Sequence, residues 1–235
     1  MHARTSFVQD ASPFLERHVE RRYPGAPRAE LERFAAARPV SADDALVMYA
    51  EYLAWREGDG ARDGLAARSA ACGQDQFLCV GGETGSGEAV LLIQGARYDV
   101  EKDPKLYLDA VCATLDSVCC DDSQRRVVVL IDVRAGEKWH NPPARLLVPF
   151  VRLCAGLVPR MYPERLKTVV VYPLPAIVRG LCYVILALLD PVTKNKIVLF
   201  GGSDNKRAPC PADELRQHVN LDMLPSLAHD RHSGL

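Results

Sequence analysis

The sequence predicts an α/β protein: a small amino-terminal helical subdomain, then a mixed sheet, parallel at its centre and flanked by helices. Short β-branched runs near residues 89–93, 127–131, 168–172 and 196–200 alternate with helical patterns, as in parallel βα units. Residues 30–57 carry apolar positions at helical spacing only. Residues 176–189 are almost wholly apolar, so this helix has to be hidden in protein, in a membrane, or against an apolar ligand.

A chain of 235 residues with 48% apolar content can fill one sizeable core and a helical subdomain. Its net charge of -1, with no basic run interleaved with aromatics, argues against a nucleic-acid partner. The eight cysteines sit mostly in apolar runs, and no segment reads as a signal peptide. A reducing, cytoplasmic setting follows, with the thiols acting as small hydrophobes. No CxxC occurs, so no metal site is expected. The longest uninterrupted apolar stretch, Leu181–Leu189, is far short of the ~20 residues that cross a bilayer. There is no GxSxG and no HExxH, and the histidines are dispersed, so no enzyme and no catalytic residues are expected.

Taken in order, Ser12 to Arg22 reads as a helix closed by the turn Pro24-Gly25-Ala26-Pro27. Glu30 to Arg38 is amphipathic through Leu31, Phe34 and Ala35, and Pro39 stops it. Ser41 caps a helix with Ala45, Met48, Tyr49, Tyr52 and Leu53 on one side, ending at Gly58 and docking through Tyr49, Tyr52 and Trp55. Gly58–Gly64 reads as a linker, dividing the chain at 1–64 and 65–235. The glycine-rich Gly81–Gly87 connects two antiparallel strands, Phe77–Val80 and Glu88–Gln94; Glu88-Ala89 stand where a phosphate-binding loop would need Lys then Ser or Thr.

Asp103-Pro104 opens a helix with Tyr107, Leu108, Val111, Cys112, Leu115 and Val118 at core spacing. Val127–Ile131 is a buried strand ending in Asp132. Asn141-Pro142-Pro143 begins the next helix, with Pro149 as a kink site. Tyr162-Pro163-Glu164-Arg165 closes it and puts an acid and a base at the lip of the strand Thr168–Tyr172, which Pro173 and Pro175 end. Asp190-Pro191-Val192-Thr193 is a cap and one short turn; Thr193 and Lys196, three apart, aim a hydroxyl and an ammonium at one place, a pairing suited to phosphate. The last helix is Pro211–Val219.

YPERL (162–166), a strand, a proline-bounded turn, an apolar helix and DPVTKNKI (190–197), in that order, resemble the lipid-binding domain of the CRAL-TRIO family. LERFAAARPVSADDALVMYAEYLAWREG (31–58) is similar to the small helical domain preceding it in that family, and GEAVLLIQGARYD (87–99) to its "RPV" strand and the turn beyond. The resemblance implies an apolar lipid cavity between sheet and helices, and a protein that extracts phosphatidylinositol and carries it between membranes. Phosphatidylcholine stands as a candidate second ligand. Membrane contact would be transient and peripheral, the protein monomeric and free of cofactor apart from bound phospholipid. The same fold would also serve a carrier of a sterol, retinoid or tocopherol, or a lipid-sensing regulatory module.

Carried over residue by residue, the head-group set is Arg38, Glu164, Thr193 and Lys196. Lys196 and Arg38 would pair with the phosphate, Thr193 bond a phosphate oxygen and Glu164 an inositol hydroxyl. Ala176, Gly180, Tyr183, Leu186 and Leu189 mark the gate and cavity wall. By composition alone the apolar helix is an ordinary core helix, Lys196 a solvated strand-edge charge, Glu164 with Arg165 a surface ion pair at a helix end and Arg38 a helix cap. Two acyl chains of roughly thirty methylenes at ~0.8 kcal/mol each require a continuous apolar cavity to replace the bilayer.

Overall fold

The computed structural model of the chain describes residues 20–70, 77–119, 124–133, 142–174, 182–183, 186–187, 189, 191–202 and 212–219. Helix α1 (Arg28–Ala37) begins after Pro27 and buries Leu31, Phe34 and Ala35; its chain turns out at Arg38, ahead of Pro39. Helix α2 (Ala42–Glu57) starts where the cap was expected, the Ser41 side chain accepting a hydrogen bond from the Asp44 amide at 3.1 Å. It buries Ala45, Met48, Tyr49 and Tyr52.

The expected linker is shorter than the glycines suggested. After a turn at 58–61 the chain enters helix α3 (Arg62–Ala70), which buries Leu65 and Ser69. Gly60 belongs to that turn because the Trp55 indole lies over it: a Cβ there would meet the ring at 2.2 Å. Strand β1 (Leu78–Glu83) also outruns its expected end, continuing through Gly81 and Gly82 after a register shift beyond Val80.

Strand β2 (Ala89–Gln94), helix α4 (Pro104–Cys119), strand β3 (Val127–Asp132), helix α5 (Val148–Met161) and strand β4 (Leu166–Leu174) follow the predicted alternation. A 3-10 turn at Ala144–Leu147 precedes α5, so Pro149 lies in its first turn and not at an interior kink. The proline inside the helix is Pro159. A single turn α6 (Pro191–Lys194), strand β5 (Ile197–Gly201) and the short α7 (Ala212–Leu215) complete the described elements.

The five strands lie in sequence order, β1 antiparallel to β2 and the others parallel. This is the mixed, centrally parallel sheet that the alternation predicted. Strand β4 corrects one boundary: it continues through Pro173 to Leu174, and the register with β5 shifts between Val171 and Leu174, where the missing donor falls. There the Gly202 amide bonds the Leu174 carbonyl at 3.1 Å, and a Cβ at Gly202 would come within 2.8 Å of the Pro173 ring.

Alternate residues divide the sheet. Ala89, Leu91 and Val127 pack with α1, α2 and α4 and with Phe77, Phe150 and Tyr162 in one large core. Val90, Leu92, Val128, Leu130, Val170 and Tyr172 form a second apolar face, against which Leu215 and Val219 pack. Among the described residues no helix is long and apolar enough to cross a membrane. Expectations for residues 12–19, the loop after Val133, Ala176, Gly180 and the tail beyond 219 lie outside the described residues.

Candidate functional site

At the amino-terminal edge of the parallel strands the chain changes from apolar to charged. Tyr162 ends α5, its amide bonding the Val158 carbonyl at 2.9 Å, and Pro163 turns the chain. The Arg165 amide reaches back to the Tyr162 carbonyl at 3.4 Å. Glu164, at the third position of this turn, has φ +57°, the left-handed region that a type II turn imposes there and that glycine fills most readily. A side chain held at such a φ costs on the order of 1–3 kcal/mol and persists only where the surroundings impose it.

The turn puts the Glu164 carboxylate opposite Lys196, with Nζ 3.8 Å from Oε2. Lys196 is positioned by α6: its amide bonds the Thr193 carbonyl at 3.0 Å, so one turn carries both residues to the start of β5. The Val169 amide in turn bonds the Lys196 carbonyl at 2.8 Å, fixing that turn against β4. Both charged side chains remain partly open, at 25% and 43% exposure. A long pair of this kind in contact with water binds weakly to itself and stays available to a third group.

Among the described residues, no hydrogen bond or ion pair brings Arg38 to this turn. It is exposed, and its Nη1 donates to the neighbouring Ala37 carbonyl at 2.8 Å. Of the gate positions, Tyr183 and Leu186 are helical, Tyr183 exposed and Leu186 half-buried; Leu189 is half-buried, its amide on the Leu186 carbonyl at 3.2 Å.

Glu88 and Lys167, to which the sequence reasoning gave no role here, share this edge with Arg165, the base expected at the strand lip. Glu88, just before β2, is buried and accepts from Lys167 Nζ at 2.5 Å and from the Thr84 hydroxyl, with Arg126 Nη2 3.7 Å away. Burial would raise its pKa, but the Lys167 and Thr84 bonds prevail and hold it below the usual value. Arg165, buried beside the exposed Glu164, donates to the Arg125 carbonyl at 2.7 Å. Burial and then the neighbouring Arg165 charge lower the Arg33 pKa. Part of the signal was in the strand starts: the register sets Ala89 beside Val127, so their charged predecessors Glu88 and Arg126 meet.

The arrangement can bind an anion or a polyol at an exposed acid and base, next to a sheet face lined by Val90, Val128 and Val170. Among the described residues no group of three His, Cys, Asp or Glu could hold a metal ion. Burial raises the thiols of Cys79, Cys112, Cys154 and Cys182, Cys112 to about 12, so these four are poor nucleophiles.

A family profile described as the CRAL/TRIO domain matches residues 74–227. Among solved structures that match is the crystal structure of Sfh5, with a TM-score of 0.57 at 12% identity, over 74% of this chain and 64% of that one. The likeness is one of fold, and the chain spans somewhat under two thirds of that protein. No curated protein matches the chain significantly.

Proposed function

Because the chain belongs to the CRAL/TRIO domain family, whose members bind lipids and other small hydrophobic ligands and are not enzymes, we propose that it is a phosphatidylinositol-binding and exchange protein. The observation that carries the head-group reading is the half-exposed Glu164–Lys196 approach at 3.8 Å, beside Thr193 and at the rim of an apolar sheet face.

In this reading the phosphate draws Lys196 from Glu164 and accepts the Thr193 hydroxyl, while Glu164 is released to accept from inositol hydroxyls. The acyl chains lie along the second sheet face, in a cavity closed by the 176–189 segment. Arg38 would have to swing from Ala37 to join, so we place it in the set as a residue recruited by ligand. Tyr183 and Val192, exposed at 68% and 60%, are suited to touch a membrane while the ligand passes. The boundary between a helical part, 1–64, and a lipid-binding part, 65–235, is then a functional one, since α3 runs through it. The setting is cytoplasmic, with transient membrane contact and phosphatidylcholine as second ligand.

An uncharged hydrophobe is the alternative, favoured by one feature: Glu164 and Lys196 neutralise each other, so this pair carries no net charge of its own for a phosphate. Loading decides between them. Thr193→Ala with Lys196→Ala should abolish phosphatidylinositol loading from vesicles while leaving the fold and uptake of an uncharged hydrophobe intact. Loading at the wild-type level would remove the head-group assignment.

A further inference from the structure

The left-handed Glu164 has to be held from outside its own turn, and the structure places a clamp on either side of it. On the carboxyl side Arg165 is tied to the sheet: its Nη1 donates to the Arg125 carbonyl and its carbonyl accepts from the Val127 amide, both at 2.7 Å. On the amino side Tyr162 is tied to the helices. Its hydroxyl lies 3.0 Å from Asp116 Oδ1 and 3.1 Å from the Cys112 carbonyl, both on α4. Asp116 is itself gripped by Arg56 of α2, Nη2 to Oδ1 at 2.6 Å and Nη1 to Oδ2 at 2.7 Å.

The Arg56 guanidinium lies over the rings of Trp55, Tyr52 and Tyr162, at 4.6, 5.2 and 5.3 Å from their centroids. Trp55 also meets Tyr162 edge-on at 5.9 Å. A planar bidentate pair stacked on three aromatic rings has little freedom, so it fixes where Tyr162 sits. Tyr162 opens the turn, and two residues later comes Glu164.

We propose that Arg56, Asp116 and Tyr162 are positioning residues for the head-group turn, so that the amino-terminal helices set the affinity of Glu164 and Lys196 for a polar head without touching it. This deepens the function proposed above and rests on it for its ligand. It also gives the helical segment a role besides covering the core: through Arg56 it grips the Asp116 carboxylate on which one of the two clamps on Glu164 closes.

Tyr162→Phe is the test, because it removes the hydroxyl and keeps the ring against Trp55 and Arg56. Two readouts are taken on the full chain, folded by circular dichroism: hydrogen exchange at the Arg165 amide in ligand-free protein, and equilibrium affinity for phosphatidylinositol against phosphatidylcholine in vesicles. Loss of one such bond should speed Arg165 exchange by ~10-fold and weaken phosphatidylinositol by ~10-fold, with phosphatidylcholine unchanged. Arg56→Lys, which keeps the charge and loses the fork, should fall between wild type and Tyr162→Phe in both readouts.

Unchanged exchange and unchanged affinity in a folded Tyr162→Phe would overturn the proposal. An equal loss for both lipids would also overturn it, in favour of a purely structural cluster. Faster Arg165 exchange in a protein whose wild type takes no phosphatidylinositol would support the clamp and dismiss the ligand. If Tyr162→Phe does not fold, Arg56→Lys carries both readouts with the same expected direction.

Discussion

Two regions of this molecule use the same chemistry, an acid facing a base near a tyrosine-bearing turn, to opposite ends. Where the amino-terminal helices meet α4, Arg56 and Asp116 are joined by two bonds of 2.6 and 2.7 Å, at 15% and 11% exposure, with aromatic rings over the guanidinium. At the sheet edge Lys196 and Glu164 stand 3.8 Å apart, with much of each side chain open to water. The first pair is satisfied by the protein; the second is left partly open to water. The comparison turns on burial and completeness of bonding, which residue type alone does not reveal.

The sharpest way to break it is to open the closed pair. Asp116→Ala leaves a desolvated guanidinium without its carboxylate and should destabilise by ~3–5 kcal/mol, read from the urea midpoint. A change below ~1 kcal/mol would mean that this cluster is no tighter than a surface pair.

Glu88 extends the comparison to pH. Its folded pKa lies below the ordinary value of 4.5, so its contribution is complete above that value and is lost as pH falls through the folded pKa. Glu88→Gln should therefore cost ~1–3 kcal/mol at neutral pH and flatten the fall in stability under acid, as urea titrations between pH 7 and 3 would register. A variant with the same acid dependence as wild type would assign that dependence to other carboxylates.

The open pair should respond the other way. Glu164→Gly relieves the left-handed backbone and should raise stability by ~1 kcal/mol, while phosphatidylinositol affinity falls by ~10-fold. A loss of stability here would show the carboxylate to be structural, and the contrast between the two regions would close.

What could be read beforehand follows the range of the forces involved. Val127–Ile131 was legible because a central parallel strand is buried on both faces and is written as an apolar run. The Ser41 cap was legible because its partner, Asp44, is three residues away. Helix α3 was not: with Gly64 inside it and Leu65 and Ser69 its only buried residues, it has little local signature. It is held by contacts from elsewhere, among them Arg68 Nε on Asp109 at 2.6 Å. Arg56 and Asp116 are 60 positions apart, and no local pattern joins them.

The head-group assignment rests on an ordered resemblance alone. Glu164 and Lys196 meet through the packing of a turn against a neighbouring strand, which spacing along the chain does not encode. Arg38, also taken from that resemblance, ends α1 with its side chain on the Ala37 carbonyl. The strand edge supplied contacts to which the resemblance had given no role, Lys167 on the buried Glu88 and Arg165 on the Arg125 carbonyl.

The most direct test of the central claim is mass spectrometry of the lipids that co-purify with the recombinant protein, on the intact folded chain and after solvent extraction. The account predicts phosphatidylinositol in near-stoichiometric amount, and its loss from the Thr193→Ala, Lys196→Ala variant. An uncharged hydrophobe bound in its place, equally retained by that variant, would contradict it.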